Sequence, residues 1–204
     1  MTQPSKSDQT RKRILSAGRQ LVIRGGFGAV GLSALLKDSG VPKGSFYYYF
    51  ASKEAFGQAL LQDYVDDYLN RIDALLAQPV SGADKLMSFS AAWLDHDRQA
   101  GLVSTCLVVK LGAEVADLSE AMRQVLNEGV NALIVRLAEM LRQGGEDGSL
   151  LPQTDPEAVA QGLYAQWLGA AILTKLSHDQ APLERVVEDT KTRLLPGAQK
   201  GKDQ

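Results

Sequence analysis

The chain has 204 residues, of which 45% are hydrophobic and 23% are charged, and its formal net charge is −2 at pH 7. These values exclude a disordered chain and a uniformly basic nucleic-acid coat, and the length suits a small domain joined to a larger one. The single cysteine excludes an intramolecular disulfide and a cysteine-rich metal cluster. The polar N-terminus does not resemble a signal peptide, and the longest nearly apolar stretch, 162–174, is too short to cross a bilayer, so a soluble cytoplasmic protein without membrane partners is expected.

Helical periodicity in the N-terminal quarter predicts three short helices. The first is expected to begin at an Asp8 cap and to end at Gly25 and Gly26. The next two are predicted at 33–39, capped by Ser33, and at 43–50, with a break between them at Gly40 to Pro42.

The rest of the chain also has helical periodicity, so the predicted fold is all-α with about nine helices. Ser52 is expected to cap a long helix that ends near Ala77. Later helices are predicted at 81–100, 104–116, 119–143, 155–177 and 182–194, with breaks at Gly101, at 117–118, at 144–152 and at 179–182. Only the stretch 102–109 also fits a strand by its pattern.

Charge is distributed unevenly along the sequence. Through Glu54 there are nine basic and three acidic residues, a net charge of +6, which leaves −8 for the remainder. A division of this size favours a polyanion as the partner of the N-terminal segment. Chance scatter of solvated surface charge is the alternative.

Residues 33–50 have the organisation of a helix-turn-helix, in which two helices of about two turns are joined by a turn that contains glycine. Phe46 and Phe50 are four residues apart and are expected to fix the second helix to the core. That arrangement leaves the following residues on the outward face of the helix: Lys43, Gly44, Ser45, Tyr47 and Tyr48. Gly44 would let backbone amides approach a phosphate closely. The alternative is that the aromatic residues serve packing alone.

The segment 32–56, and above all GVPKGSFYYYFASKEAF, resembles the DNA-binding signature of TetR-family transcriptional repressors. A second stretch from Ser104 to Arg123, with Trp167 to Ala170 and Lys175, is similar to the NemR-type subgroup, which responds to electrophiles and oxidants. The resemblance implies an all-helical homodimer with a three-helix DNA-binding head and a helical body that holds an effector site. It places the dimer interface on the last two long helices.

The resemblance assigns the DNA-binding domain to residues 1–52, the effector-sensing and dimerisation domain to 53–198, and a polar tail to 199–204. The DNA-binding residues that we predict are Ser33, Lys43, Gly44, Ser45, Tyr47, Tyr48, Tyr49 and Lys53. Lys53 matches a phosphate-contacting position, whereas Lys43, Ser45 and Tyr48 are expected to read bases. Tyr49 stands where the family often has histidine, which favours a packing role there.

Cys106 is the candidate sensing residue. It lies near the start of a predicted helix, where the macrodipole favours a thiolate, and Lys110 is one turn further on. The alternative is a buried cysteine that acts as a small hydrophobe. Lys175 continues an apolar stripe that includes Trp167, so its ammonium reaches solvent, pairs with an acid or lies near Cys106. The predicted effector and redox site is therefore Cys106, Lys110, Trp167 and Lys175.

Two apolar stripes predict the dimer interface. They consist of Leu163, Trp167, Gly169 and Ala170 in one helix and of Val186, Val187 and Leu194 in the next. Apolar stripes of this kind are unfavourable in water, and small residues allow two helices to approach closely.

The predicted function is that of a repressor that binds double-stranded operator DNA as a homodimer. A small electrophile or oxidant that modifies Cys106, or another small ligand in the body, is expected to release it. No cofactor, metal site or catalytic residue is expected. A cysteine-dependent helical enzyme is one alternative, but its only candidate bases, His96 and His178, lie in no recognised motif. A DNA-independent helical adaptor is the other, and the +6 segment argues against it.

Overall fold

The computed structural model describes residues 5–94 and 106–197, which form nine helices and contain no strand. The helices are α1 (Lys6–Gly25), α2 (Leu32–Ser39), α3 (Lys43–Tyr49), α4 (Lys53–Leu76), α5 (Gly82–Leu94), α6 (Leu107–Leu118), α7 (Glu120–Glu146), α8 (Pro156–Ser177) and α9 (Ala181–Leu194). The all-α prediction with about nine helices is confirmed. The predicted helical residues 95–100 and 104–105, the break at Gly101 and the tail at 199–204 lie outside the described residues.

The N-terminal helix caps differ in part from the prediction. Ser5, not Asp8, is the N-cap of α1, and the two residues form a capping box in which each side chain accepts from the other's backbone N–H. Ser33 does not cap α2, because that helix begins one residue earlier, after Gly31, with no side-chain cap. The Ser52 cap of α4 is confirmed, since its Oγ accepts from Ala55 N at 3.0 Å.

Two predicted helix breaks are shifted. α6 continues through Leu118, and the single residue Ser119 separates it from α7. α7 then continues through Gly144 and ends at Glu146, although the glycine there predicted a break. Gly144 serves packing instead, because a Cβ on it would overlap the side chain of Leu150, and a Cβ on Gly82 would overlap the Gly144 backbone. Residues 107–109 of the possible strand are helical.

The chain divides into two compact units, one of residues 1–67 with 110–129 and one of residues 68–109 with 130–204. Helices α4, α6 and α7 each contribute residues to both units. The predicted domain boundary at residue 52 therefore differs from the limits of these compact units. That residues 1–52 form the DNA-binding domain stays a prediction. None of the described helices combines the length and the apolar character needed to cross a lipid bilayer.

Aromatic side chains form the core of each unit. In the first unit the rings of Phe46, Phe50 and Phe56 are mutually in contact, with centroids 5.3–5.6 Å apart. In the second unit Trp167 lies beside Phe89, at a centroid distance of 5.3 Å, and beside Trp93, at 6.4 Å. Burial of such large apolar surfaces is the main source of stability in helical units of this size.

Candidate DNA-binding and sensing sites

Helix α3 has one buried face and one exposed face. Phe46 and the following Phe50 are 1% and 3% exposed, so the predicted attachment of this helix to the core is confirmed. The opposite face carries Tyr48, which is 79% exposed, and Tyr47, which is 49% exposed. The two rings contact their neighbours Phe46 and Tyr49 edge to face, and their exposed surface remains available to a partner.

The N-terminal end of α3 is open. Lys43 and Gly44 are exposed and Ser45 is half-buried. A Cβ on Gly44 would meet no atom within 4 Å, so nothing inside the protein requires a glycine at this position. The absence of a side chain therefore widens the approach to α3 from outside.

Two of the predicted DNA-binding residues make contacts within the first unit. The Tyr49 hydroxyl accepts a hydrogen bond from Ser7 Oγ at 3.3 Å, and the half-buried Tyr49 ring contacts Tyr48 edge to face. Lys53 donates to the carbonyl oxygen of Gly28 at 3.3 Å. Tyr49 thus attaches α3 to the start of α1, which agrees with a packing role for it, while Lys53 stays exposed and retains two further donors.

The N-terminal basic residues divide into paired and unpaired groups. Arg19 binds Asp67 and Arg24 binds Asp38, each at 3.3 Å. The following residues form no ion pair within the described part of the chain: Lys12, Arg13, Lys37 and Lys43. These four side chains carry charge that no ion partner in the described ranges neutralises, so they can attract phosphates.

Cys106 is buried, with 5% of its surface exposed, and directly precedes α6. Tyr68 of α4 and Tyr164 of α8 lie near it in the second unit. Burial raises the pKa of both phenols above the ordinary tyrosine value, and the nearby Cys106 sulfur acts in the same direction. The sulfur is therefore buried near two phenol side chains. Helical spacing did not predict these two tyrosines, because it does not show which residues of α4 and α8 lie near residue 106.

The other predicted sensing residues lie in different surroundings. Trp167 is fully buried, and its indole N–H donates to Thr190 Oγ1 at 3.3 Å, so it is a core residue that joins α8 to α9. Lys175 is half-buried in the last turn of α8, and Lys110 is half-buried in α6. The proximity of Lys175 to Cys106 stays a prediction.

The predicted dimer stripes are mostly wrong, because five of their residues are buried within the chain itself: Leu163, Trp167, Ala170, Val187 and Leu194. The apolar residues that α8 does expose are Ile172, Leu173 and Leu176, at 46%, 57% and 74%. Gly169 is also exposed, and a shallow groove between α8 and α9 runs past it. The exposed apolar face of α8 is therefore displaced around the helix from the predicted one.

The histidine considered as a catalytic base has a structural role. His178 is exposed and forms the C-cap of α8 in the left-handed conformation, with φ at 53°. His96 lies outside the described residues. Within residues 5–94 and 106–197, no group of three His, Cys, Asp or Glu side chains is placed to hold a metal ion.

Comparisons with known proteins agree with this geometry. Residues 14–60 match the family described as bacterial regulatory proteins, tetR family, and residues 82–189 match the tetracyclin repressor-like C-terminal domain. The chain is 42% identical to the HTH-type transcriptional repressor NemR of Escherichia coli K12, over 93% of this chain and 96% of that protein. It is 32% identical to the transcriptional regulator AcuR of Cereibacter sphaeroides, over 83% and 78% of the two chains.

Solved structures show the same fold. The reduced form of E. coli NemR superimposes with a TM-score of 0.86 at 41% identity, covering 93% of this chain and 99% of that chain. The regulatory protein TetR from Rhodobacter sphaeroides gives a TM-score of 0.77 at 28% identity, covering 91% and 99%.

Proposed function

Because the chain belongs to the TetR family of bacterial transcriptional regulators, which are not enzymes, we propose that it represses transcription by binding double-stranded operator DNA as a homodimer in the cytoplasm. The cysteine-dependent enzyme does not agree with this family, and a DNA-independent adaptor would not account for the unpaired basic residues of the N-terminal segment. The observation that carries the proposal is the exposure of Tyr48 on a helix whose opposite face is fixed by Phe46.

The DNA-binding surface would combine base readout and phosphate contacts. In a helix-turn-helix, the second helix enters the major groove and its N-terminal residues meet the base edges. Lys43 and Ser45 occupy those positions in α3, which would be the recognition helix, and the exposed Tyr48 lies three residues after Ser45 in the same helix. The unpaired charges of Lys12, Arg13 and Lys37 would add attraction that does not depend on sequence.

The homodimer supplies the symmetry that an operator with two half-sites requires. The half-sites of such operators lie about one helical turn, roughly 34–36 Å, apart. The exposed Leu173 and Leu176 support an interface formed by α8 and α9, since apolar side chains this exposed are favourable when a second copy covers them. The exposed Gly169 would allow close approach of the two copies of α8.

Release would begin at Cys106. An oxidant such as hypochlorous acid transfers oxygen to the sulfur, which gives a sulfenic acid and leaves chloride. The Lys175 amine can then attack that sulfur to form a sulfur–nitrogen bond with loss of water, and a thiol reductant restores the free cysteine. Alternatively, an electrophilic carbon adds directly to the sulfur. Either product would enlarge a side chain in a packed environment, where strain is costly.

The modification must also favour the state that does not bind DNA. A ligand shifts an equilibrium only by the difference between its interactions with the two states. Helix α6 begins directly after Cys106 and continues into the unit that contains α3. A modification that displaces the first turn of α6 would therefore be transmitted along this helix to that unit. A non-covalent ligand beside Tyr68 and Tyr164 is the second candidate effector, and their aromatic environment supports it.

The experiment is an operator-binding titration on the reduced full-length dimer, with DNA selected from a random library by this protein. Sequence-specific binding that weakens steeply with salt would support the proposal. Binding that is equally strong on unrelated DNA, or no binding at all, would contradict it.

A further inference from the structure

The turn that follows α1 contains two backbone amides that point at one carboxylate. Glu114, in α6, accepts a hydrogen bond from Gly28 N at 2.6 Å and another from Phe27 N at 3.2 Å. Neither amide has another acceptor among the residues that the structure describes. Glu114 is half-buried, and all three residues belong to the first compact unit.

Glycines leave the space that this carboxylate occupies. A Cβ on Gly26 would lie 2.9 Å from Glu114 Oε2, and a Cβ on Gly28 would lie 3.1 Å from Oε1. Gly26 also has a φ of 84°, a conformation that favours glycine. Successive amides in a tight turn form a concave site for an anion, and here the anion is part of the protein itself.

The same turn is also attached to the start of α4, the helix that follows α3. Lys53 donates to Gly28 O and lies 5.1 Å from the centre of the Phe27 ring. A second bond joins the corner between α6 and α7 to the start of α4, because Ser119 Oγ donates to Glu54 Oε1 at 2.5 Å. The end of α6 is therefore bonded both to the turn after α1 and to the helix that follows the recognition helix.

We propose that Glu114 is the positioning residue through which α6 sets the DNA-binding helices, and that release of the operator by an effector requires its bonds to the Phe27 and Gly28 amides. The proposal rests on the proposed function and adds the connection it lacks. Movement of α6 either moves the turn with it or breaks two charge-assisted hydrogen bonds, which are stronger than neutral ones. Without the carboxylate, movement of α6 would reach the DNA-binding helices through the Ser119–Glu54 bond alone of these two connections, and release would be weaker.

The chain offers a matched control three residues further along the helix. Asp117 is exposed, and its side chain forms no hydrogen bond or ion pair with any residue in the described ranges. Asp117→Asn therefore removes the same charge as Glu114→Gln without touching the turn. Glu114→Ala removes both bonds, and Glu114→Gln keeps one acceptor oxygen.

The first measurement is hydrogen exchange of the Phe27 and Gly28 amides in the full-length reduced protein, which does not depend on DNA binding. We expect amide exchange to be about tenfold to a hundredfold faster in Glu114→Ala, because a hydrogen bond to a charged group slows exchange by about that factor. The exchange rate should be intermediate in Glu114→Gln and unchanged in Asp117→Asn. Thermal unfolding by circular dichroism shows whether each variant is folded. Unchanged exchange in a folded Glu114→Ala would overturn the proposal.

The second measurement is the ratio of operator Kd with and without hypochlorite. We expect this ratio to fall by about tenfold or more in Glu114→Ala and to match the wild type in Asp117→Asn. A wild-type ratio retained in Glu114→Ala would overturn the role of Glu114 and leave the proposed function standing. If neither hypochlorite nor a reactive quinone releases the wild type, both the effector part of the proposed function and the role of Glu114 in release fail.

Discussion

Gly18 of α1 lies directly against the Phe56 ring of α4, so closely that a Cβ on Gly18 would overlap the ring. Phe56 is completely buried and also contacts Phe46 of α3, with ring centroids 5.6 Å apart. One aromatic side chain therefore sets the distance from α4 to both the first helix and the recognition helix. The contact explains why a glycine occupies position 18 on the buried face of α1.

Gly18→Val is expected to destabilise the protein by about 1–3 kcal/mol, because the added methyl groups must displace Phe56 from a packed core. Urea unfolding followed by circular dichroism measures the change. Gly44→Ala is the control, because its Cβ meets no atom within 4 Å, and it should leave stability unchanged or raise it by up to about 1 kcal/mol. Equal stability of Gly18→Val and the wild type would show that α1 and α4 are not packed in this way.

Tyr48→Ala and Lys43→Ala are each expected to weaken operator binding by about 1–3 kcal/mol and to reduce discrimination between operator and unrelated DNA. Lys53→Ala should weaken all sequences alike and lower the salt slope by about one. Fluorescence anisotropy at several salt concentrations separates the two behaviours. Tyr48 is 79% exposed, so its replacement should not alter the unfolding curve. Unchanged operator affinity in both lysine variants would refute the assignment of this surface.

Leu173→Arg is expected to convert the dimer into monomers at micromolar concentration, because it places a charge in the apolar face of α8 that a second copy would cover. Val135→Arg provides the control, since Val135 is equally exposed, at 55%, but lies on α7. Analytical ultracentrifugation measures the mass of each variant. A wild-type monomer, or a dimeric Leu173→Arg, would exclude the α8 interface.

The fold followed from local signals wherever helix ends and apolar periodicity agreed. Periodicity located α8 and α9 to within one residue, and the Ser52 cap located the start of α4. Errors occurred where a residue has two physical roles. Gly144 is both a helix breaker and a small residue for close packing, and only the contact with Leu150 shows which role applies.

The sequence predicted those features of the candidate sites that depend on a single helix. The buried and exposed faces of α3 follow from the spacing of Phe46 and Phe50, which helical geometry fixes. Contacts between distant segments were not predictable in this way. Glu114 is 86 residues from Gly28, and no pattern around either residue indicates their bond. The dimer stripe failed for a related reason, because an apolar helix face such as that of Trp167 can be covered by the same chain or by another.

In the proposed function, modification of Cys106 releases operator DNA. The most direct test is operator affinity of the wild type and of Cys106→Ser, each before and after hypochlorite treatment and again after a thiol reductant, with Lys175→Ala included. We predict that the wild type releases the operator and recovers with reductant, that Cys106→Ser binds but does not respond, and that Lys175→Ala responds less. Release of Cys106→Ser to the same extent as the wild type would contradict the account and leave a non-covalent ligand as the effector.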